Sequence, residues 1–222
     1  MCAAATDERA ARGLRGLYAV TPDEDDTVRL VAQVNAALAG GARALQYRNK
    51  NAAPALRRAQ AEALAGVCRR RGALFIVNDD AALARAVAAD GVHIGEDDGA
   101  LSAAREAVGD AALVGVSCYD NLQSARHAVE QGADYIAFGS FFASRVKPGA
   151  RHAEVALIPA AKRFGVPVVA IGGITVANAP ALVAAGVDAI AVISAVFAHD
   201  DLAAIARAAA ELAALFVEEP VR

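Results

Sequence analysis

The chain has 222 residues, a formal net charge of −3 and 56% hydrophobic residues. That length suits one large domain with its own core, and the mildly acidic balance disfavours nucleic acid, which calls for a basic face. Alanine inflates the hydrophobic content, and the greasiest stretch, 166–198, is broken by Pro167, Gly172, Gly173, Pro180, Gly186 and Asp188, so no membrane-spanning helix is expected.

Short apolar runs of the kind buried in parallel sheets fall at 17–21, 44–48, 74–78, 91–95, 113–117, 135–139, 168–172 and 189–194. A helical pattern follows each, at 27–39, 55–71, 80–88, 101–108, 121–130, 155–164, 177–185 and 202–217. Eight repeated strand–helix units predict an all-parallel sheet closed on itself, an α/β fold of the single (β/α)8 TIM barrel type. Gly40-Gly41, Gly72, Gly132 and Gly186 stand between a helix and the next strand, where a left-handed helix end is expected. An open doubly wound sheet would carry a Gly-rich phosphate loop after its first strand, but Thr21-Pro22-Asp23-Glu24-Asp25-Asp26 contains no glycine. The reading is one barrel domain over 1–222, with 1–15 as a flexible N-terminal extension. That extension carries Asp7 and Glu8 and lacks the apolar centre of a secretory signal. Cys2, Cys68 and Cys118 form no metal-ligand spacing, so free thiols in a reducing cytoplasm are expected.

A TIM barrel carries its active site at the C-terminal ends of its strands. There strand two presents Gln46, Arg48 and Lys50 on one parity, two cations suited to a diphosphate. Strand three is followed by Asn78, Asp79 and Asp80, and strand four by Glu96, Asp97 and Asp98. Carboxylates converging at one rim repel unless a cation joins them. For oxygen ligands beside a phosphate, Mg²⁺ is the natural ion. Asp79 is the first metal candidate and Asp80 a helix cap, while the spacing does not choose among the second acidic trio. Ser117 ends strand five as a candidate phosphate donor. The loop 140–153 after strand six carries Arg145, Lys147 and Arg151, a basic lid for an anionic substrate. Gly172-Gly173 after strand seven and Ile193-Ser194 after strand eight mark a second anion site, of monophosphate size. His93 is read as packed within strand four. His127 and His199 are read as surface residues, and His152 lies in the lid region.

Taken together, Gln46-Tyr47-Arg48-Asn49-Lys50, Val77-Asn78-Asp79-Asp80, the run from Ala89 to Gly95 with Asp98, Gly115-Val116-Ser117, Gly132-Ala133-Asp134-Tyr135, Lys147, Ala170 to Thr175 and Ile193-Ser194 resemble the thiamine phosphate synthase family. The resemblance runs from Leu17 to about Phe197. It implies a transferase of thiamine biosynthesis that couples a hydroxymethylpyrimidine diphosphate to a thiazole monophosphate, releasing diphosphate. It also implies that Asp79 and Asp98 hold Mg²⁺. On the same pattern Gln46, Tyr47, Arg48, Asn49, Lys50, Asn78, Ser117 and Lys147 bind the pyrimidine diphosphate. Ser144, Arg145, Val146, Gly173, Ile193 and Ser194 would bind the thiazole phosphate. Arg48, Lys50 and Lys147 would carry catalysis by stabilising the departing diphosphate.

The chain departs from the family's usual lid, G-P-x-x-P-T-x-T-K, which here reads Gly139-Ser140-Phe141-Phe142-Ala143-Ser144-Arg145-Val146-Lys147. Glu96 stands where Gln is usual and Pro22 where Asp is usual. Three rivals remain. A thiazole tautomerase relative carries His two positions after the strand-five Ser, where this chain has Tyr119. A non-catalytic regulatory barrel would suit the altered lid but not the retained carboxylates and cations. A phosphosugar isomerase would want a separate acid–base pair. The partners expected are small molecules, with no nucleic acid and no membrane, and self-association is left open.

Overall fold

A computed structural model describes residues 14–95, 100–143 and 152–216. Eight parallel strands close into a barrel in sequence order, each paired with its neighbours and the last with the first. They are β1 (Gly16–Val20), β2 (Ala44–Tyr47), β3 (Leu74–Asn78), β4 (Gly91–Ile94), β5 (Leu113–Tyr119), β6 (Tyr135–Phe138), β7 (Val168–Ile171) and β8 (Ala189–Val192). The helices between them are α1 (Thr27–Ala39), α2 (Pro54–Arg71), α3 (Ala81–Ala86), α4 (Leu101–Val108), α5 (Leu122–Glu130), α6 (Leu157–Lys162) and α7 (Ala179–Ala184). After β8 come α8 (Ser194–Phe197) and α9 (Leu202–Ala214). Every strand and helix read from the periodicity is present, and the differences lie at element ends. The four-residue α8 is additional, since it is too short to show a helical period. Among the described residues no helix is long and apolar enough to cross a membrane.

Strand parity divides the core in two. Outward residues such as Leu17, Leu45, Val92, Ile136 and Ile190 pack under the helices in the larger cluster. Inward residues, among them Tyr18, Ala44, Ile76, Tyr135, Val169 and Ala189, fill the barrel. Two buried tyrosines inside so small a barrel need small neighbours. Gly115 is the clearest of these, because a Cβ there would lie 1.9 Å from Tyr135 Cζ. No side chain fits that point while the ring occupies it.

Local chemistry fixes the element ends. Asp26, Asp80, Asn121 and Asp201 cap α1, α3, α5 and α9, each accepting from a free backbone N–H of the first turn. Gly72 ends α2 in the left-handed region at φ 66°. In Gly40-Gly41 the left-handed residue is Gly41, at φ 103°. Gly40 is small for a different reason: a Cβ there would meet Ala206 O at 2.3 Å.

The N-terminal rim is held by a repeated device. Asp90, Asp134 and Asp188 precede β4, β6 and β8 and accept from the backbone N–H of Phe75, Val114 and Val168 on the preceding strand, at 2.8, 2.7 and 2.8 Å. Arg105 pairs with Asp134, and Lys162 pairs with Asp188 at 2.7 Å.

Candidate active site

A cavity of about 660 Å³ opens at the C-terminal ends of the strands, within the size range of small-molecule sites. The parity that points Gln46 inward from β2 carries on to Arg48 and Lys50, and all three line it. Their loop is held rigidly. Thr21 Oγ1 donates to Arg48 O at 2.9 Å and accepts from Arg48 N–H at 2.8 Å. Asp23 accepts from Lys50 N–H at 3.1 Å and from Asn51 Nδ2 at 3.0 Å, and pairs with the Arg48 guanidinium at 3.4 Å. Tyr47 and Asn49 face the opposite way. Tyr47 Oη donates to Gln60 Oε1 at 2.9 Å, and Asn49 Nδ2 donates to Glu24 O at 2.8 Å and Gln60 Oε1 at 3.1 Å. Both are buried beneath α2 and brace the loop from behind, because alternate strand residues must point to alternate faces.

Asn78 and Asp79 line the cavity from the end of β3. Asp79 has φ 64°, a left-handed conformation that Asp tolerates better than most residues, and its N–H donates to His93 O at 2.8 Å. Its carboxylate stands 3.2 Å from Lys50 Nζ. Cation and carboxylate from adjacent strands therefore meet at one rim. Asp80, one residue on, turns away to cap α3.

Gly173, Ile193 and Ser194 line the opposite wall of the same cavity. The two glycines there have a packing reason. A Cβ on Gly172 would meet Ser140 Oγ at 2.1 Å, and one on Gly173 would meet Ala143 O and Phe142 O at 2.5 Å. The root of the loop after β6 lies directly on them, with Phe141 N–H donating to Ile171 O and Phe142 N–H to Gly172 O. Asp98, Ser144, Arg145, Val146 and Lys147 lie outside the described residues, as do Glu96 and Asp97.

The cavity floor joins Gln46 and Ser117 through His93, read from the sequence as packed within its strand, and two buried tyrosines that the sequence did not mark as site residues. Gln46 Nε2 donates to Tyr18 Oη at 2.8 Å, and Tyr18 Oη lies 3.1 Å from Tyr135 Oη. Tyr135 Oη is 3.0 Å from His93 Nδ1, and His93 Nε2 is 2.8 Å from Ser117 Oγ. The His93 and Tyr135 rings stack at 5.5 Å, and Tyr18 meets Tyr135 edge-on at 6.4 Å. Burial pushes the Tyr18 hydroxyl well up, against the opposing pull of its hydrogen bonds to Tyr135 and Gln46. Burial pushes Tyr135 up as well, and its neighbour Tyr18 adds to the effect. Both phenols stay protonated at neutral pH. Parity was the available signal: His93 shares the inward phase of β4, with Val92 and Ile94 facing out. Tyr119 also lines the cavity and is partly exposed, at φ 52°.

A family model described as thiamine monophosphate synthase matches residues 17–196. The chain belongs to that family. Among its relatives is the thiamine-phosphate synthase of Thiobacillus denitrificans, 54% identical over 206 residues, covering 92% of this chain and 96% of the relative. That of Chromobacterium violaceum is 54% identical over 197 residues, covering 89% and 95%. Among solved structures, thiamine phosphate pyrophosphorylase from Pyrococcus furiosus superposes with a TM-score of 0.82 at 35% identity, covering 93% of this chain and 97% of that one. Membership of the thiamine monophosphate synthase family thus spans the whole barrel, and the cavity lies where barrels of this type carry their chemistry.

Proposed function

We propose that this chain is a thiamine phosphate synthase. It joins a (diphosphooxymethyl)pyrimidine to a thiazole monophosphate and releases diphosphate. One observation carries the reading: Arg48, Lys50, Asn78, Asp79 and Ser117 on one wall and Gly173, Ile193 and Ser194 on the other enclose a single cavity. Two anionic substrates can thus lie with their reacting ends together. In the reaction, the bond between the pyrimidinylmethyl carbon and the diphosphate oxygen breaks, and the electron pair leaves with diphosphate. The thiazole nitrogen then gives its lone pair to that carbon. Arg48 and Lys50, with Lys147 from the loop after β6, stabilise the negative charge as it develops on the leaving group. A thiazole anchored by its phosphate near Gly173, Ile193 and Ser194 is held at attacking distance, which removes the entropy of encounter.

Mg²⁺ fits the donor set. Among the described residues no three His, Cys, Asp or Glu side chains cluster as a metal cage, and Asp79 offers a carboxylate to the cavity. Mg²⁺ is commonly bound by one or two carboxylates together with substrate phosphates, so Asp79 and Asp98 would hold it. When bound, the ion neutralises charge on the diphosphate. The Lys50–Asp79 pair sets both groups side by side at the rim. The deciding experiment incubates purified chain with Mg²⁺ and both precursors and follows thiamine phosphate by mass spectrometry. Product is expected; folded protein yielding none would overturn the reading.

A further inference from the structure

We infer that Tyr18, Tyr135 and His93 are positioning residues for Ser117. They form a one-way hydrogen-bond chain, started by Gln46, that holds His93 as its Nε2–H tautomer and leaves Ser117 free to present its proton to the ligand. The inference deepens the proposed function and rests on it for the nature of the ligand.

The direction follows from counting protons. Gln46 Nε2 donates to Tyr18 Oη, so the Tyr18 proton is left to serve the next contact, Tyr135 Oη at 3.1 Å. The Tyr135 proton then goes to His93 Nδ1 at 3.0 Å. A neutral imidazole accepting at Nδ1 carries its proton on Nε2, and that proton points at Ser117 Oγ, 2.8 Å away. With its oxygen accepting from His93, the Ser117 O–H is free to turn into the cavity that Ser117 lines. In this order each hydroxyl donates once and accepts once. Reversing the chain makes Tyr18 accept from both Gln46 and Tyr135. Its own proton would then have no acceptor among the described residues, an unfavourable state inside a residue as buried as Tyr18. The chain crosses the barrel floor through β2, β1, β6, β4 and β5. Gly115 on β5 leaves the space that the Tyr135 ring fills. Bonds in such a chain polarise one another in a low-dielectric interior. Ser117 therefore offers its proton to an acceptor on the pyrimidine diphosphate, a ring nitrogen or a phosphate oxygen.

The test has a spectroscopic and a kinetic arm. Protein labelled with ¹⁵N-histidine and free of ligand is studied by long-range ¹H–¹⁵N correlation, with the His93 signal identified by its loss in His93→Gln. The expected His93 pattern is a protonated Nε2 and a bare Nδ1, which becomes a tautomer mixture in Tyr135→Phe. An Nδ1–H form or an imidazolium in the wild type overturns the inference, as does a pattern unmoved by Tyr135→Phe. Kinetically, Tyr135→Phe and Ser117→Ala should each lower kcat/KM for the pyrimidine diphosphate on the order of tenfold. KM for the thiazole phosphate should stay unchanged, and the double variant should be no worse than the worse single one. Additive losses, or wild-type kinetics in Tyr135→Phe, overturn it. Should the wild type make no thiamine phosphate, the function falls while the tautomer measurement still decides the hydrogen-bond chain.

Discussion

The two rims of this barrel use the same side chain for opposite ends. At the N-terminal rim Asp90, Asp134 and Asp188 accept backbone N–H groups of the neighbouring strand. Two of these carboxylates also hold a basic side chain, Arg105 or Lys162. At the C-terminal rim Asp79 lines the cavity opposite Lys50, on a left-handed backbone. A carboxylate whose oxygens are spent on main-chain donors contributes to stability. One held at the mouth of a cavity, ion-paired to Lys50, lies where a ligand can reach it. The residue type is shared, and the strand end on which it sits decides the role.

Substituting at the two rims should therefore separate activity from stability. Asp79→Asn keeps the size and the tolerance of a left-handed φ but removes the charge. Turnover of the two precursors is expected to fall by about a hundredfold or more, with the melting temperature nearly unchanged. A variant retaining wild-type kcat would show that Asp79 has no part in the chemistry. Asp134→Ala should do the reverse. It leaves Val114 N–H without its side-chain acceptor and removes the carboxylate partner of Arg105, which keeps its bonds to the Gly109, Ala112 and Gly132 carbonyls, lowering stability by about 1–3 kcal/mol. Urea titration would reveal it, and kcat of the folded fraction should match the wild type.

Gly115→Ala tests the ground between the rims, since Gly115 packs against the Tyr135 ring and Tyr135 reaches Ser117 through His93. The added Cβ would fall on the Tyr135 ring, so a loss of about 1–3 kcal/mol is expected. Displacement of the ring should lower kcat as well, unlike Asp134→Ala. A fully stable, fully active Gly115→Ala protein would mean that the ring has another place to go.

The fold was legible because each unit repeats the same apolar-strand and helix signal, and α1 and α4 match their read spans to the residue. Arg48 and Lys50 were legible at the rim because the inward parity of β2 carries on past its end, and Asp79 because it follows directly on β3. Tyr47 and Asn49 show the limit of carrying a contiguous motif across: strand parity turns every second member of Gln46 to Lys50 away from the cavity. The Gly172-Gly173 pair reads as an anion nest, yet its smallness is also required by the loop root packed on it. That contact is tertiary, and no local pattern announces it. The floor network was hidden for a similar reason. His93, Tyr18 and Tyr135 look like core residues one by one, and only barrel closure brings them within hydrogen-bond distance.

The buried thiols give a pH-dependent version of the same contrast. Burial pushes Cys68, and separately Cys118, from 9.0 up to about 12, with Asp90 reinforcing the shift at Cys68. The folded chain therefore holds these protons more tightly than the unfolded chain does. The resulting stabilisation is complete below about pH 9 and is lost as pH rises toward about 12. Urea midpoints should decline through that window, and Cys68→Ala with Cys118→Ala should flatten the decline. In folded protein at pH 8 both thiols should resist iodoacetamide, and rapid alkylation would contradict their burial.

The narrowest comparison sets neighbours against each other. Asp79 and Asp80 are adjacent and chemically identical, yet Asp80 Oδ1 accepts from Leu83 N–H at 2.8 Å and starts α3. Asp80→Ala removes that cap and should lower stability by about 1 kcal/mol, leaving KM and kcat close to wild type, because its carboxylate is engaged by the helix rather than by the cavity. Asp80→Ser, which can still cap, should recover most of the loss. A large kinetic defect in Asp80→Ala that Asp80→Ser fails to relieve would move the functional carboxylate one residue along the chain, and with it the register on which the whole rim is read.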